Sequence, residues 1–420
     1  MAVELSVLLY LAVFLVAAKL GGVLAAKLGQ PTVSGELIAG IMIGPFVAGW
    51  ISQQLFGVSL YINPGAPAGE FMSVLAEVGI IMLMFLAGLS IDVGEFKKSG
   101  KPATIVAAAG VVMAFILGFG AASMFGWTII EAAFAGGILV ATSVGITVRT
   151  LMGIDRLHTR VGMTILGAAV IDDVFGIVIL SVLSGIAFGG VSFLGIAETL
   201  GLMGLFFLLV VLIGFKVVPR VITYVGRLDV EEITLSIALA LVFLVAAFAD
   251  MVSIAAITGA FMVGLIISKS QVAGALREKV STVGYGFLIP LFFVEMGVRT
   301  DFQALSSVSL LALVFLGISM FDKIAGCGLG ALLSGFGAKD SLRVGVGMMP
   351  RAEVALVMAS IGITAWGKNP ALFPNMHALF SMTVMVVLVT SLVTPVMVKL
   401  VFKGYNGEKT NDRLRQHQRR

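Results

Sequence analysis

The chain has 420 residues, of which 59% are apolar and 12% charged, with a formal net charge of +4. A soluble domain carries roughly 25% charged residues, so this composition excludes a water-soluble globule and points to an all-α polytopic membrane protein. The single cysteine, Cys327, excludes an intramolecular disulfide framework and reads as a small buried hydrophobe.

Thirteen apolar stretches approach the ~20 residues that a membrane crossing needs. They run over about 4–26, 32–51, 71–91, 102–125, 131–149, 160–187, 194–218, 231–249, 253–269, 281–298, 305–335, 342–365 and 374–402. The first follows Met1-Ala2-Val3-Glu4, which lacks the basic start of a cleaved signal, so it is read as a helix. Span 5 is interrupted by the hydroxyl-rich run Ala141-Thr142-Ser143-Val144-Gly145-Ile146-Thr147. Span 6 carries adjacent aspartates, Asp172 and Asp173, span 11 carries Asp322 and Lys323, and span 12 reads Gly345-Val346-Gly347-Met348-Met349-Pro350-Arg351-Ala352-Glu353.

Of the 27 Lys and Arg residues, 22 fall in alternate connections: Lys27, Lys97 to Lys101, Arg149 to Arg160, Lys216 to Arg227, Lys269 to Lys279, Lys339 with Arg343, and the stretch from Lys399 onward. The opposite connections hold only Arg299 and Lys368. Cytoplasmic loops collect basic residues, which orients the N-terminus outside and the C-terminus in the cytoplasm. Residues 82–92 also echo residues 290–301, setting Phe85, Gly88 and Asp92 against Phe293, Gly297 and Asp301, and residues 41–44 echo 261–264 more weakly. Two similar segments on opposite sides indicate an inverted repeat, spans 1 to 6 against 8 to 13 with span 7 between, the architecture of secondary transporters.

Spans 5 and 12 occupy corresponding places in that repeat, and both contain helix-breaking chemistry. Irregular backbone at bilayer depth is tolerated only where protein or water covers it, which makes paired breaks a pointer to a transport site. Asp172 lies about 18 Å along its helix from Arg160, near the middle of a ~30 Å hydrocarbon core, and Lys323 reaches a similar level. A buried ammonium needs an anion. Pairing it with one aspartate of the doublet relieves two desolvation costs and leaves the other for a cation and protons, whereas its neighbour Asp322 is the competing partner. Thr142 and Ser143 are candidate cavity oxygens, and Arg351 with Glu353 are expected to satisfy half-helix ends and each other.

The combination of Gln30-Pro31 with Gly35-Glu36, the Ala141 to Thr147 run, Gly167-Ala168-Ala169-Val170-Ile171-Asp172-Asp173, Lys323 and Pro350-Arg351-Ala352-Glu353-Val354 resembles bacterial sodium/proton antiporters of the NapA and NhaA type, in the second monovalent cation:proton antiporter family. The resemblance implies an NhaA-like fold of thirteen helices with two crossing broken helices. It implies a homodimer in the cell membrane, with dimer-domain helices in 1–101 and 231–304, a mobile core in 102–193 and 305–403, a linker helix in 194–230 and a basic tail in 404–420. By the same resemblance Asp173 is the chief ligand of a transported Na+ or Li+, Asp172 pairs with Lys323, and exchange for H+ is electrogenic, with K+/H+ antiport as the alternative. No cofactor, nucleic acid or nucleotide-binding domain is expected, and the tail meets lipid at most. Asp322 beside the lysine departs from the family pattern.

Two other function classes remain on the residues alone. Paired aspartates also serve intramembrane hydrolysis, but such dyads draw one carboxylate from each of two helices, and these are sequence neighbours. A passive channel is opposed by a lysine at mid-membrane. His158, His377 and His417 show no zinc spacing, and the glycines of Gly326 to Gly337 follow no strand, so helix packing explains them better than a phosphate loop.

Overall fold

The computed structural model describes residues 5–58, 61–188, 193–228, 230–299, 310–351, 353–368 and 373–405, and every regular element among them is helical. Helices α1 (Leu5–Lys27) and α2 (Thr32–Ile43) pack together, and a π-helical turn over Pro45–Gly49 leads into α3 (Trp50–Phe56). After α4 (Pro67–Ser90) comes the short α5 (Val93–Lys98), whose first turn is capped by Asp92, its carboxylate accepting the Glu95 N–H at 3.0 Å. Asp301, the expected counterpart of Asp92, lies outside the described residues.

Helix α6 (Gly100–Met124) is followed by α7 (Ile129–Val140), which starts on a capping box formed by Thr128 and Glu131. The Glu131 carboxylate also accepts the Asn375 N–H at 2.5 Å, so the start of α7 is tied to a residue far along the chain. Then come α8 (Val144–Gly153), α9 (Arg160–Phe188), α10 (Phe193–Leu209) and α11 (Phe215–Val225), the last two joined by a π turn over Val210–Gly214. The remaining helices are α12 (Ile233–Met251), α13 (Ala256–Ile267), α14 (Ala273–Val283), α15 (Ile289–Val298), α16 (Leu310–Leu333), α17 (Ala338–Gly347), α18 (Glu353–Lys368) and α19 (Met376–Val401).

Among the described residues, 11 helical segments are long and apolar enough to cross a bilayer, and two shorter apolar helices, Ala256–Ile267 and Val354–Lys368, fall in the ninth and twelfth of the thirteen expected spans. The expected twelfth is interrupted between α17 and α18. Helix α17 before the interruption carries Lys339, Asp340 and Arg343 in its first two turns.

Glycines allow several close helix contacts. A methyl group at Gly88 of α4 would stand 2.3 Å from the Phe261 carbonyl oxygen, and one at Gly264 of α13 would stand 2.3 Å from that of Phe85. The same reciprocal arrangement joins Gly40 of α2 to Gly297 of α15, with the Val294 and Leu37 carbonyl oxygens at 2.1 and 2.3 Å. Real Cβ atoms do not fit at such distances, so these backbones approach only because the residues are glycine. The contacts align Gly264 with Gly40, one helical turn from the Gly44 suggested by sequence similarity. Helix α6 packs on α16, where Cys327 is buried against Gly110. Helices α6, α7, α9, α16, α18 and α19 share an apolar core that includes Phe134, Phe315 and Met358 and reaches the first helix break at Ala141.

Candidate functional site

Helix α7 stops at Val140 and α8 starts at Val144, with Ala141 and Ser143 extended between them. Helix α17 stops at Gly347. There Pro350 supplies no backbone N–H, and the residue before a proline avoids helical geometry. The breaks meet. Ser143 donates its backbone N–H to the Pro350 carbonyl at 2.7 Å, and the Thr147 hydroxyl donates to the Gly347 carbonyl at 2.6 Å. Groups that each interrupted helix leaves without an internal partner are thus used by the other.

Asp172 of α9 faces this crossing and is 1% exposed. Its Oδ2 accepts from the Thr142 hydroxyl at 2.7 Å and forms an ion pair with the Lys323 ammonium of α16, which is wholly buried. Asp173, about 100° further round the helix, is 8% exposed. Its Oδ2 accepts from Thr258 of α13 at 3.4 Å.

A second buried ion pair lies beside the first. The Arg351 guanidinium donates to Asp322 Oδ1 at 2.7 Å and to the Ser319 carbonyl at 3.3 Å, and both charged side chains are fully buried. Asp322 also accepts the Lys323 backbone N–H. Asp322 is therefore the partner of Arg351 and not of the Lys323 ammonium, which decides between the two partners the sequence left open. Arg351 turns toward α16. The expected pairing of Arg351 with Glu353 falls on a side chain outside the described residues. The break itself is held by α19, because Thr390 accepts the Arg351 N–H at 3.1 Å and Ser391 donates to the Arg351 carbonyl at 3.4 Å.

Adjacent residues of α16 thus serve two neighbours. Each pair is neutral, so ionisation of Asp173 leaves the cluster of Asp172, Asp173, Asp322, Lys323 and Arg351 with a negative charge. Such a cluster can hold a monovalent cation or a proton. Thr142 joins it through its hydroxyl, whereas Ser143 joins through its backbone. Sequence reasoning did not find Thr258, Thr390 or Ser391. Thr258 is a lone hydroxyl in an apolar helix, and only the Thr390-Ser391 pair carried any signal.

Another polar cluster joins α2 to α8. Arg149 approaches Glu36 at 3.7 Å, and its guanidinium stands 4.3 Å from the centroid of the Tyr285 ring. Lys19 donates to the Tyr285 carbonyl at 2.7 Å. These residues include Glu36 of the sequence motif and bind α1, α2 and α8 to the turn before α15.

The family model for the sodium/hydrogen exchanger transmembrane region matches residues 12–404. The chain belongs to the sodium/hydrogen exchanger family. It is a multi-pass membrane transporter, a monovalent cation/proton antiporter and not an enzyme. The chain is 35% identical over 392 residues to the Na(+)/H(+)-K(+) antiporter GerN of Bacillus cereus, covering 93% of this chain and 95% of that protein. It is 32% identical to the high-affinity Na(+)/H(+) antiporter NhaS3 of Synechocystis, covering 97% of this chain and 92% of that protein. The solved structure of the sodium proton antiporter MjNhaP1 from Methanocaldococcus jannaschii shares the fold, with a TM-score of 0.64 at 19% identity over 95% of this antiporter and 97% of that chain.

Proposed function

We propose that the antiporter exchanges Na+ or Li+ for protons across the cell membrane, with Asp173 as the chief cation ligand and Asp172 held by Lys323 in the cation-free site. The observation that carries this reading is the Asp172–Lys323 pair at the meeting point of two broken helices, with a second carboxylate beside it. Cation and protons compete for the same carboxylates. A protonated site releases the cation, and a deprotonated one captures it. The reciprocal glycine contacts support an inverted repeat, and the distribution of Lys and Arg supports thirteen crossings with the N-terminus outside. On this reading the helices of 1–101 and 231–304 form the dimer domain of a homodimer, and those of 102–193 and 305–403 move as the core. K+/H+ exchange is the second reading, favoured by the name of the Bacillus cereus relative.

Proteoliposomes carrying the purified protein, an imposed proton gradient and Na+, Li+ or K+ in turn test the assignment. Exchange is expected with Na+ and Li+, and a response to K+ alone would replace the first reading by the second. If two titrating groups cycle per cation, each turnover moves charge, and 100 mV biases it by about 2.3 kcal/mol. A valinomycin-set potential should therefore change the rate and the end point of uptake, and an absence of either change would refute electrogenic exchange.

Thr142 supplies an oxygen to the site through the Asp172 hydrogen bond. Thr142→Val is expected to raise the apparent KM for the cation about tenfold while maximal rate stays within about twofold, since a hydrogen bond to a charged group is lost and both carboxylates remain. An unchanged KM in a folded variant would reduce Thr142 to helix packing.

A further inference from the structure

Two sets of close contacts place α2 and α13 in one register. Gly40 and Gly264 make the reciprocal contacts described above, and five residues earlier Gly35 and Gly259 each face the preceding helix. A methyl at Gly35 would lie 2.0 Å from the Gly21 carbonyl oxygen of α1, and one at Gly259 would lie 2.8 Å from that of Val245 in α12. This register sets Ser34 opposite Thr258. Both are buried, at 4% and 3% exposure, but their surroundings differ. The Thr258 hydroxyl reaches Asp173, whereas the Ser34 hydroxyl has no hydrogen-bond partner. The helix breaks differ in the same sense, because Thr142 meets a carboxylate of α9 while Arg351 meets the hydroxyls of Thr390 and Ser391 in α19. Beside the breaks, α9 thus presents a carboxylate and α19 presents hydroxyls.

We propose that Thr258 is a cation-site residue, supplied to Asp173 from the helix group that faces the crossing. The proposal rests on the reading of Asp173 as the cation ligand. A hydroxyl has one donor and two acceptor lone pairs, so Thr258 serves the site in two ways. In the cation-free, ionised site it donates to Asp173 Oδ2 and stabilises the carboxylate. When an alkali cation arrives, the hydroxyl turns and offers a lone pair, adding an oxygen to the coordination shell of a hard cation. Valine has nearly the same shape and can do neither. Helix α13 is locked to α4 through Gly88 and Gly264, whereas α9 packs with α6 and α7. The contact therefore bridges the two helix groups that the proposed cycle moves past one another, and cation affinity depends on whether they stand in this arrangement.

The test is a titration in proteoliposomes with whichever of Na+, Li+ and K+ the wild type exchanges best. Thr258→Val is expected to raise apparent KM about five- to tenfold with maximal rate within about twofold, and Thr258→Ser to return KM to within about twofold of wild type. Ser34→Ala, the matched position in the other half, should leave KM unchanged. The proposal is overturned if Thr258→Val keeps the wild-type KM, if the serine variant is as impaired as the valine variant, or if Ser34→Ala raises KM equally. Thr258→Ala is judged by the same criteria and replaces the valine variant should that one not reach the membrane. Asp173→Asn in the same vesicles separates the two levels. If it still exchanges, the cation-ligand reading falls and Thr258 with it, whereas an inactive Asp173→Asn beside a normal Thr258→Val removes the role of Thr258 alone.

Discussion

Replacing Asp173 by Asn is expected to abolish cation/proton exchange in a protein that still folds. The amide has nearly the shape of the carboxylate and can keep a hydrogen bond from Thr258, so packing around α9 changes little. What disappears is the charge and the ability to bind a proton. A cation at bilayer depth without a countercharge costs at least about 2.5–3.5 kcal/mol, equivalent to roughly a hundredfold in occupancy. The five-residue cluster then sums to zero with its two ion pairs intact, and nothing in it favours the cation over water. The measurement is exchange in proteoliposomes, with monodispersity and melting temperature as controls. A folded variant that exchanged at more than about a tenth of the wild-type rate with the cation well below the wild-type KM would move the cation ligand elsewhere, because a hundredfold loss of affinity there cannot leave that much transport.

The parts of this site that were legible in the sequence are those where physics leaves few choices. A lysine and an aspartate at equal depth in hydrocarbon have strong reason to pair, so Asp172 and Lys323 were recognisable together despite their separation along the chain. The breaks were legible because glycines, a proline and clustered hydroxyls stand where a helix should run unbroken. The pairing of Arg351 with Asp322 was not legible for a related reason. Glu353 is close in sequence, but pairing is set by which helix lies opposite, and that helix is α16 with Asp322. Thr258 was not visible, since one threonine in an apolar helix carries no sign of what it faces. The glycine register was displaced by one turn, since Gly40 and Gly44 look alike in the sequence, and only the approach of α15 selects between them: a methyl at Gly40 would stand 2.1 Å from the Val294 carbonyl oxygen, one at Gly44 3.1 Å from that of Val298.

The second large effect concerns the Asp322–Arg351 pair. Both side chains are fully buried, Asp322 Oδ2 and Arg351 Nε and Nη1 have no hydrogen-bond partners, and the pair links α16 to the break before α18. Removing one member leaves the other charged and buried, which typically costs about 3–5 kcal/mol. Arg351→Leu and Asp322→Leu are each expected to lower the melting temperature sharply and to reduce the yield of folded protein. The double variant leaves no uncompensated charge, and replacing both partners by apolar groups of similar shape is often close to neutral. It should therefore be more stable than either single variant. If the pair also holds the break in place, the double variant will fold and yet transport poorly, because Pro350 must remain aligned with Ser143 for the two interrupted helices to meet. Thermal melting of the four proteins measures the coupling directly. Additive single effects, within about 0.5 kcal/mol, would mean that the two charges act independently and that the break is secured by Thr390 and Ser391 alone.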